Sequence, residues 1–265
     1  MSLVNFRDPS VLTDPEGTLV NPGVLYRSAQ PFPAADDAVV EQLRAAGIRT
    51  IVDLRGGSER EAGDWTAAEA AGITVVQTPV EPSSPALDQR MATMKTAADL
   101  GEFYVLMAES APGAIADAVR AAARPGGVLL HCAAGKDRTG LLTALLLELL
   151  GVPAERVVED YARTGEALEQ IWAGIAQRHH TALNDVDREK LAIPAPLLAA
   201  PAGAMTAFLD VVRTRHGGAR AFLLECGVAQ ETLDAFLAKA TPAAAATDTV
   251  SAVTTGIAAP AEVTV

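Results

Sequence analysis

The sequence predicts an α/β fold with a mostly parallel central sheet flanked by helices. Three observations predict it. Short apolar runs alternate with longer stretches whose apolar residues recur at helical spacing. Gly or Pro punctuates most of the junctions between them. The segment from about Arg138 to Leu150 is apolar on nearly all sides, so it is expected to be a central helix, fed directly by the short apolar run Val128-Leu129-Leu130-His131.

The elements follow in order. The first 35 residues are rich in Pro, Gly and Asp, and Leu25-Tyr26 reads as a short strand after the Asn21-Pro22-Gly23 turn. Asp36 to Ala46 is expected to be a helix with Val39, Val40 and Leu43 on its apolar face, stopped by Gly47. Thr50 to Leu54 is a strand, Glu59 to Ala71 a second helix ending at Gly72, and Ile73 to Val76 a further strand. Pro79, Pro82 and Pro85 mark an irregular connection. Asp99 to Ala108 and Ile115 to Ala123 are expected helices separated by Pro112-Gly113, and Pro125-Gly126-Gly127 turns the chain into the 128–131 strand. Gly151 and Pro153 end the central helix, and residues from about Ala154 to Ala240 form an appended helical layer. From Thr241 to Val265, 14 of the 25 residues are Ala or Thr, which predicts a disordered tail because such a segment builds little core.

Composition bounds the function. Apolar residues make up 49% of the 265, which excludes wholesale disorder. A net charge of −12 argues against a nucleic-acid partner and against docking on anionic membranes, since both draw on clustered Lys and Arg. The longest apolar run, around Leu141 to Leu150, is too short to span a bilayer, so no integral membrane association is expected. Two cysteines, Cys132 and Cys226, cannot build a disulfide scaffold. With no basic-then-apolar stretch in Met1 to Asp8, a cytoplasmic location is expected, although export without such a signal is compatible with it. His179-His180 reads as a solvated helix feature, and no ligand cluster calls for a metal or cofactor. The sequence leaves the oligomeric state open.

The chemistry is concentrated in His131-Cys132-Ala133-Ala134-Gly135-Lys136-Asp137-Arg138-Thr139-Gly140. A strand delivers Cys132 into a tight loop, and Arg138 opens the apolar helix. The N–H groups of Ala133, Ala134, Gly135, Lys136, Asp137 and Arg138 can form an anion nest, reinforced by the positive end of the helix. Small side chains and a flexible Gly135 let the main chain wrap closely around a tetrahedral dianion. The same field favours the nucleophilic thiolate of Cys132. Arg138 offers a planar fork matched to two phosphoryl oxygens, and Thr139 is placed to hydrogen-bond the sulfur. A nucleotide-binding loop is excluded, because Asp137 follows Lys136 where Ser or Thr is required. His131 and Cys132 point to opposite faces of a strand, so His131 is a supporting partner and not half of a protease-like pair.

Cys-x5-Arg with the flanking His131 and Thr139-Gly140 resembles the signature of the cysteine-based protein tyrosine phosphatases. Gly135-Lys136-Asp137-Arg138 is similar to the bacterial tyrosine and lipid phosphatase branch related to the mycobacterial secreted enzymes. Asn5-Phe6-Arg7-Asp8, Leu25-Tyr26-Arg27-Ser28, Val52-Asp53-Leu54-Arg55 and Val158-Glu159-Asp160-Tyr161 agree in order. The resemblance implies one phosphatase domain over 1–240, with a helical lid or extension at about 162–240 in which Ile171, Trp172 and Ile175 either close over Cys132 or pack as an ordinary helix. It implies a metal-independent hydrolase acting through a phosphocysteine on phosphorylated protein or phosphoinositide substrates. Asp137 is the favoured acid and base. Asp99 and Glu81 are the alternatives. Lys136 either meets a neighbouring phosphate of a phosphoinositide or balances Asp137. Asp53, Arg55 and Arg27 either support the loop or form structural ion pairs. A catalytically silent phosphate-binding module and a rhodanese-like sulfurtransferase are the competing functions.

Overall fold

Four short strands, three of them carrying two or more of Val, Ile and Leu, form the sheet in a computed structural model that describes residues 2–14, 16, 19–81, 84–178 and 193–243. His179-His180 and the tail from 244 onward lie outside the described residues. The elements are α1 (Ser10–Thr13), β1 (Leu25–Ser28), α2 (Asp37–Ala45), β2 (Ile48–Asp53), a 3₁₀ turn (Gly57–Glu59), α3 (Thr66–Ala70), β3 (Thr74–Gln77), α4 (Pro85–Thr93), α5 (Ala97–Glu109), α6 (Pro112–Ala122), β4 (Gly127–His131), α7 (Asp137–Leu149), α8 (Ala154–Ala162), a second 3₁₀ turn (Arg163–Ala167), α9 (Leu168–Arg178), α10 (Ala195–Leu198), α11 (Ala202–His216), α12 (Ala219–Glu225) and α13 (Gln230–Ala240). Every strand pairing is parallel, in the order β1-β4-β2-β3.

Period-2 alternation sends neighbouring side chains of the central strands to opposite faces. Ile51 and Leu129 join Val39, Leu43, Trp65 and Ala68 on the face covered by α2 and α3. Val52, Val128 and Leu130 join the larger core on the other face, with α5, α6, α7 and α11. Residues Thr139 to Leu147 of α7 are all buried, which is why its apolar residues occupy every side.

Two sequence expectations are corrected. The helix expected over Glu59 to Ala71 is only a 3₁₀ turn and the short α3, because Glu59 and Asp64 are drawn into ion pairs with Arg138 and Arg55. The Pro-marked connection contains α4, capped by the Ser84 hydroxyl and started by Pro85 at its first position. In the helical layer, α5 and α11 approach closely at Gly101. A Cβ there would lie 2.5 Å from the Ala204 carbonyl oxygen and 2.9 Å from the Phe208 nitrogen.

Candidate active site

The carboxyl end of β4 and the first turn of α7 bracket residues 132–136 at the C-terminal edge of the parallel sheet, where open α/β sheets bind ligands. The loop's shape follows from where its carbonyls go. Ala133 O accepts from the Gln30 amide at 3.1 Å. Gly135 O accepts from the Arg27 guanidinium at 2.9 Å and from Asn5 Nδ2 at 3.2 Å. Lys136 O accepts from Gly140 N at 2.7 Å. The first two oxygens are tied to the scaffold and the third opens the helix ladder of α7, while the amides of 133–138 donate to no acceptor among the described residues. Gly135 makes the bend possible: its φ is +66°, and a Cβ would lie 2.2 Å from Ser28 O. Gly135→Ala is therefore expected to lower stability by about 2–4 kcal/mol and turnover by at least ~100-fold, checked by denaturant melts and steady-state rates.

The scaffold behind the loop is an ion-pair unit. Arg27 and Arg7 share the carboxylate of Asp160, at 2.6 and 2.7 Å, and their main chains form an isolated antiparallel bridge. Burial opposes the charge on Asp160, but the two guanidiniums outweigh it and hold its pKa below the ordinary value. Burial, followed by the charge of Arg27, lowers Arg7 to about 10.

Cys132 follows directly on the buried strand β4 and is itself buried. Arg138 donates from both terminal nitrogens to Glu59, at 2.5 and 2.6 Å, and from one of them to Leu54 O at 3.4 Å. Burial opposes the Arg138 charge, yet the Glu59 hydrogen bonds, with the nearby charges of Cys132 and Asp137, push its pKa up. Glu59 is in turn held below the usual carboxylate range despite its own burial. The 3₁₀ turn thus fixes the plane of the guanidinium.

Asp137 opens α7 and is only partly exposed. The Tyr104 hydroxyl of α5 donates to its Oδ1 at 2.5 Å, and Lys136 Nζ lies 3.4 Å from the same oxygen. Tyr161 of α8 is 2.8 Å from the Tyr104 hydroxyl. Lys136 is fully buried, and its ammonium also donates to the carbonyls of Leu197 and Ala199, the latter at 2.7 Å. Of its two sequence readings, this placement matches the balancing of Asp137.

His131 lies on the opposite face from Cys132. The Trp65 indole N–H donates to its Nε2 at 3.1 Å, so the ring proton sits on Nδ1, 3.2 Å from Cys132 O. Burial lowers the His131 pKa to about 4 and keeps the ring neutral. Asp53 pairs in a fork with Arg55, at 2.9 and 2.7 Å. Arg55 reaches Gln30 Oε1 at 2.9 Å, and Gln30 in turn holds Ala133 O, so the ion pair also braces the loop.

Three expected residues sit differently from their sequence readings. Asp99 caps α5: its Oδ2 accepts from Lys95 N, Thr96 N and the Thr96 hydroxyl, while Oδ1 pairs with Arg90 at 3.1 Å. Those bonds, led by the Lys95 amide, lower its pKa, which suits a helix cap and not a proton donor. Glu81 lays its carboxylate against Gly56 at the rim, beside the Glu59–Arg138 pair. The hydrogen bond expected from Thr139 to the sulfur is not made: its hydroxyl, buried with α7, has no partner among the described residues. Ile171 of α9 is fully buried against Ala134 of the loop and Ala29.

Sequence reasoning missed Glu59, Tyr104, Trp65 and the role of Asp160. Only Asp160 carried a signal, through the string that contains it.

Residues 1–241 match the family model described as "Tyrosine phosphatase family". The triple specificity protein phosphatase PtpB of Mycobacterium tuberculosis is 27% identical over 265 residues, covering 87% of this chain and 94% of its own. A tyrosine-protein phosphatase of Nostoc commune is 29% identical over 199 residues, covering 74% and 67%. The solved structure of TpbA from P. aeruginosa shares 21% identity and covers 68% of this chain and 92% of its own, with a TM-score of 0.31, too low to carry the fold by itself.

Proposed function

Because the chain belongs to the tyrosine phosphatase family and is a phosphatase, we propose that it hydrolyses phosphomonoesters through a phosphocysteine on Cys132, with Asp137 as general acid and then base. The observation that carries this reading is the tethering of the Ala133 and Gly135 carbonyls by Gln30, Arg27 and Asn5, with the amides of 133–138 donating to no acceptor among the described residues, between a buried thiol and a braced Arg138. In the first step the Cys132 sulfur attacks phosphorus, the S–P bond forms and the P–O ester bond breaks. The leaving oxygen takes a proton from Asp137. In the second step water attacks phosphorus, the S–P bond breaks, and Asp137 recovers a proton from that water. Arg138 and the loop amides hold the equatorial oxygens through both displacements.

The family to which the chain belongs supports phosphotyrosine as a substrate. The ammonium of Lys136 is engaged by Asp137 and two carbonyls, so a second phosphate of a phosphoinositide would have to displace those bonds to reach it. A relative that is itself called a triple specificity protein phosphatase supports a substrate range wider than phosphotyrosine, and a panel of phosphopeptides and soluble phosphoinositides ranks the classes. Both cysteines are free and buried, which fits a reducing compartment such as the cytoplasm. No helix among the described residues is long and apolar enough to cross a membrane.

Asp137→Asn tests the acid. Its kcat is expected to fall ~100-fold or more on substrates with poor leaving groups and far less on activated aryl phosphates. A leaving-group series on purified protein checks this, and an equal loss across the series would remove Asp137 from the acid role.

A further inference from the structure

The geometry points to Tyr104 as the positioning residue that dictates which oxygen of Asp137 carries the transferable proton. The inference rests on the reading of Asp137 as the acid and goes one bond further out. A tyrosine hydroxyl has a single hydrogen. At 2.5 Å from Oδ1 it donates that hydrogen to the carboxyl, since a carboxylate only accepts. Tyr104 can then only accept from Tyr161, which lies 2.8 Å away. The three groups form a one-way chain, Tyr161 to Tyr104 to Asp137. The Lys136 ammonium, 3.4 Å away, approaches the same Oδ1. Both donors therefore occupy one oxygen, and Oδ2 has no partner among the described residues. A proton on Oδ1 would confront two donors. On Oδ2 it confronts none, and Oδ2 is the atom that delivers it to the leaving oxygen and takes it back from water.

The position of Tyr104 is built into the packing. Gly101 lets α5 press against the backbone of α11, and Tyr104 stands three residues further along α5, so both lie on one helix face. Its ring packs edge-on against Tyr161 and Phe208, with centroids 6.1 and 6.4 Å away. Tyr104 is fully buried. Burial first, and then the charge of Asp137, push its own pKa well up, so it stays a donor throughout the working pH range. The groups facing the Asp137 carboxyl are Tyr104 from α5, Tyr161 from α8, Lys136 from the loop and Arg138 from α7.

Tyr104→Phe removes one hydroxyl and keeps the ring. On poor leaving groups kcat is expected to fall ~10–100-fold, with less than ~3-fold loss on activated aryl phosphates. Tyr161→Phe keeps Tyr104 in place and should give a smaller effect in the same direction. Adding Tyr104→Phe to Asp137→Asn should cost no further leaving-group discrimination. A uniform loss across leaving groups overturns the positioning role, as does full additivity with Asp137→Asn. If Asp137→Asn alone shows no leaving-group dependence, the acid assignment fails first, and the two failures are told apart.

Discussion

Cys132→Ser is expected to fold normally and to lose turnover by on the order of 10⁴-fold or more, because no other group can form the covalent intermediate. The substitution exchanges sulfur for oxygen in a buried position and leaves the loop's tethers untouched. Binding of an inert phosphate analogue such as tungstate or sulfate should therefore survive within a few-fold, since Arg138 and the amides supply it. Calorimetric titration beside a sensitive turnover assay separates the two. A variant that keeps a near-normal rate would refute covalent catalysis; one that loses the anion as well would mean that the sulfur organises the loop.

Asp160→Ala should be the most destabilising single change behind the site. It strips the shared partner from two guanidiniums, one of them fully buried, and removing one side of a buried pair typically costs about 3–5 kcal/mol. Turnover should fall with it, because Arg27 also holds Gly135 O. The pH dependence has a definite sign. The folded-state pKa of Asp160 lies below the ordinary 3.8, so its contribution is fully present above that value and is lost as pH falls through the folded pKa. The gap in stability between the native chain and the variant should be full at pH 7 and close in acid. Denaturant melts at pH 7 and pH 3 measure it, and a gap that widens toward acid would contradict the assignment.

The legible parts of the chain are those in which chemistry is local. Cys132, Gly135, Asp137 and Arg138 were readable because strand, bend and helix start are contiguous and each residue type has a reason for its place. The parallel sheet was readable from the apolar runs at 51–54 and 128–131, whose neighbours serve two cores at once. Residues that act across long separations were not readable. Glu59 sits where helical periodicity starts, and only the folded chain shows that its carboxylate turns 79 residues away to Arg138. Tyr104 is one apolar residue among many on α5, and its single polar atom finds Asp137 because Gly101 sets the distance between two helices. Asp99 has the separation expected of an acid, yet its Thr96 partner makes it a helix cap.

For inhibitor chemistry, the buried ammonium of Lys136 closes one design route. A phosphate mimic extended with a second acidic group to exploit the Gly-Lys-Asp-Arg string would find the Lys136 ammonium already held by the main-chain oxygens of 197 and 199. Selectivity has to be sought at the outer lip, where Glu81 lies over Gly56 and a cationic substituent would find a counter-charge.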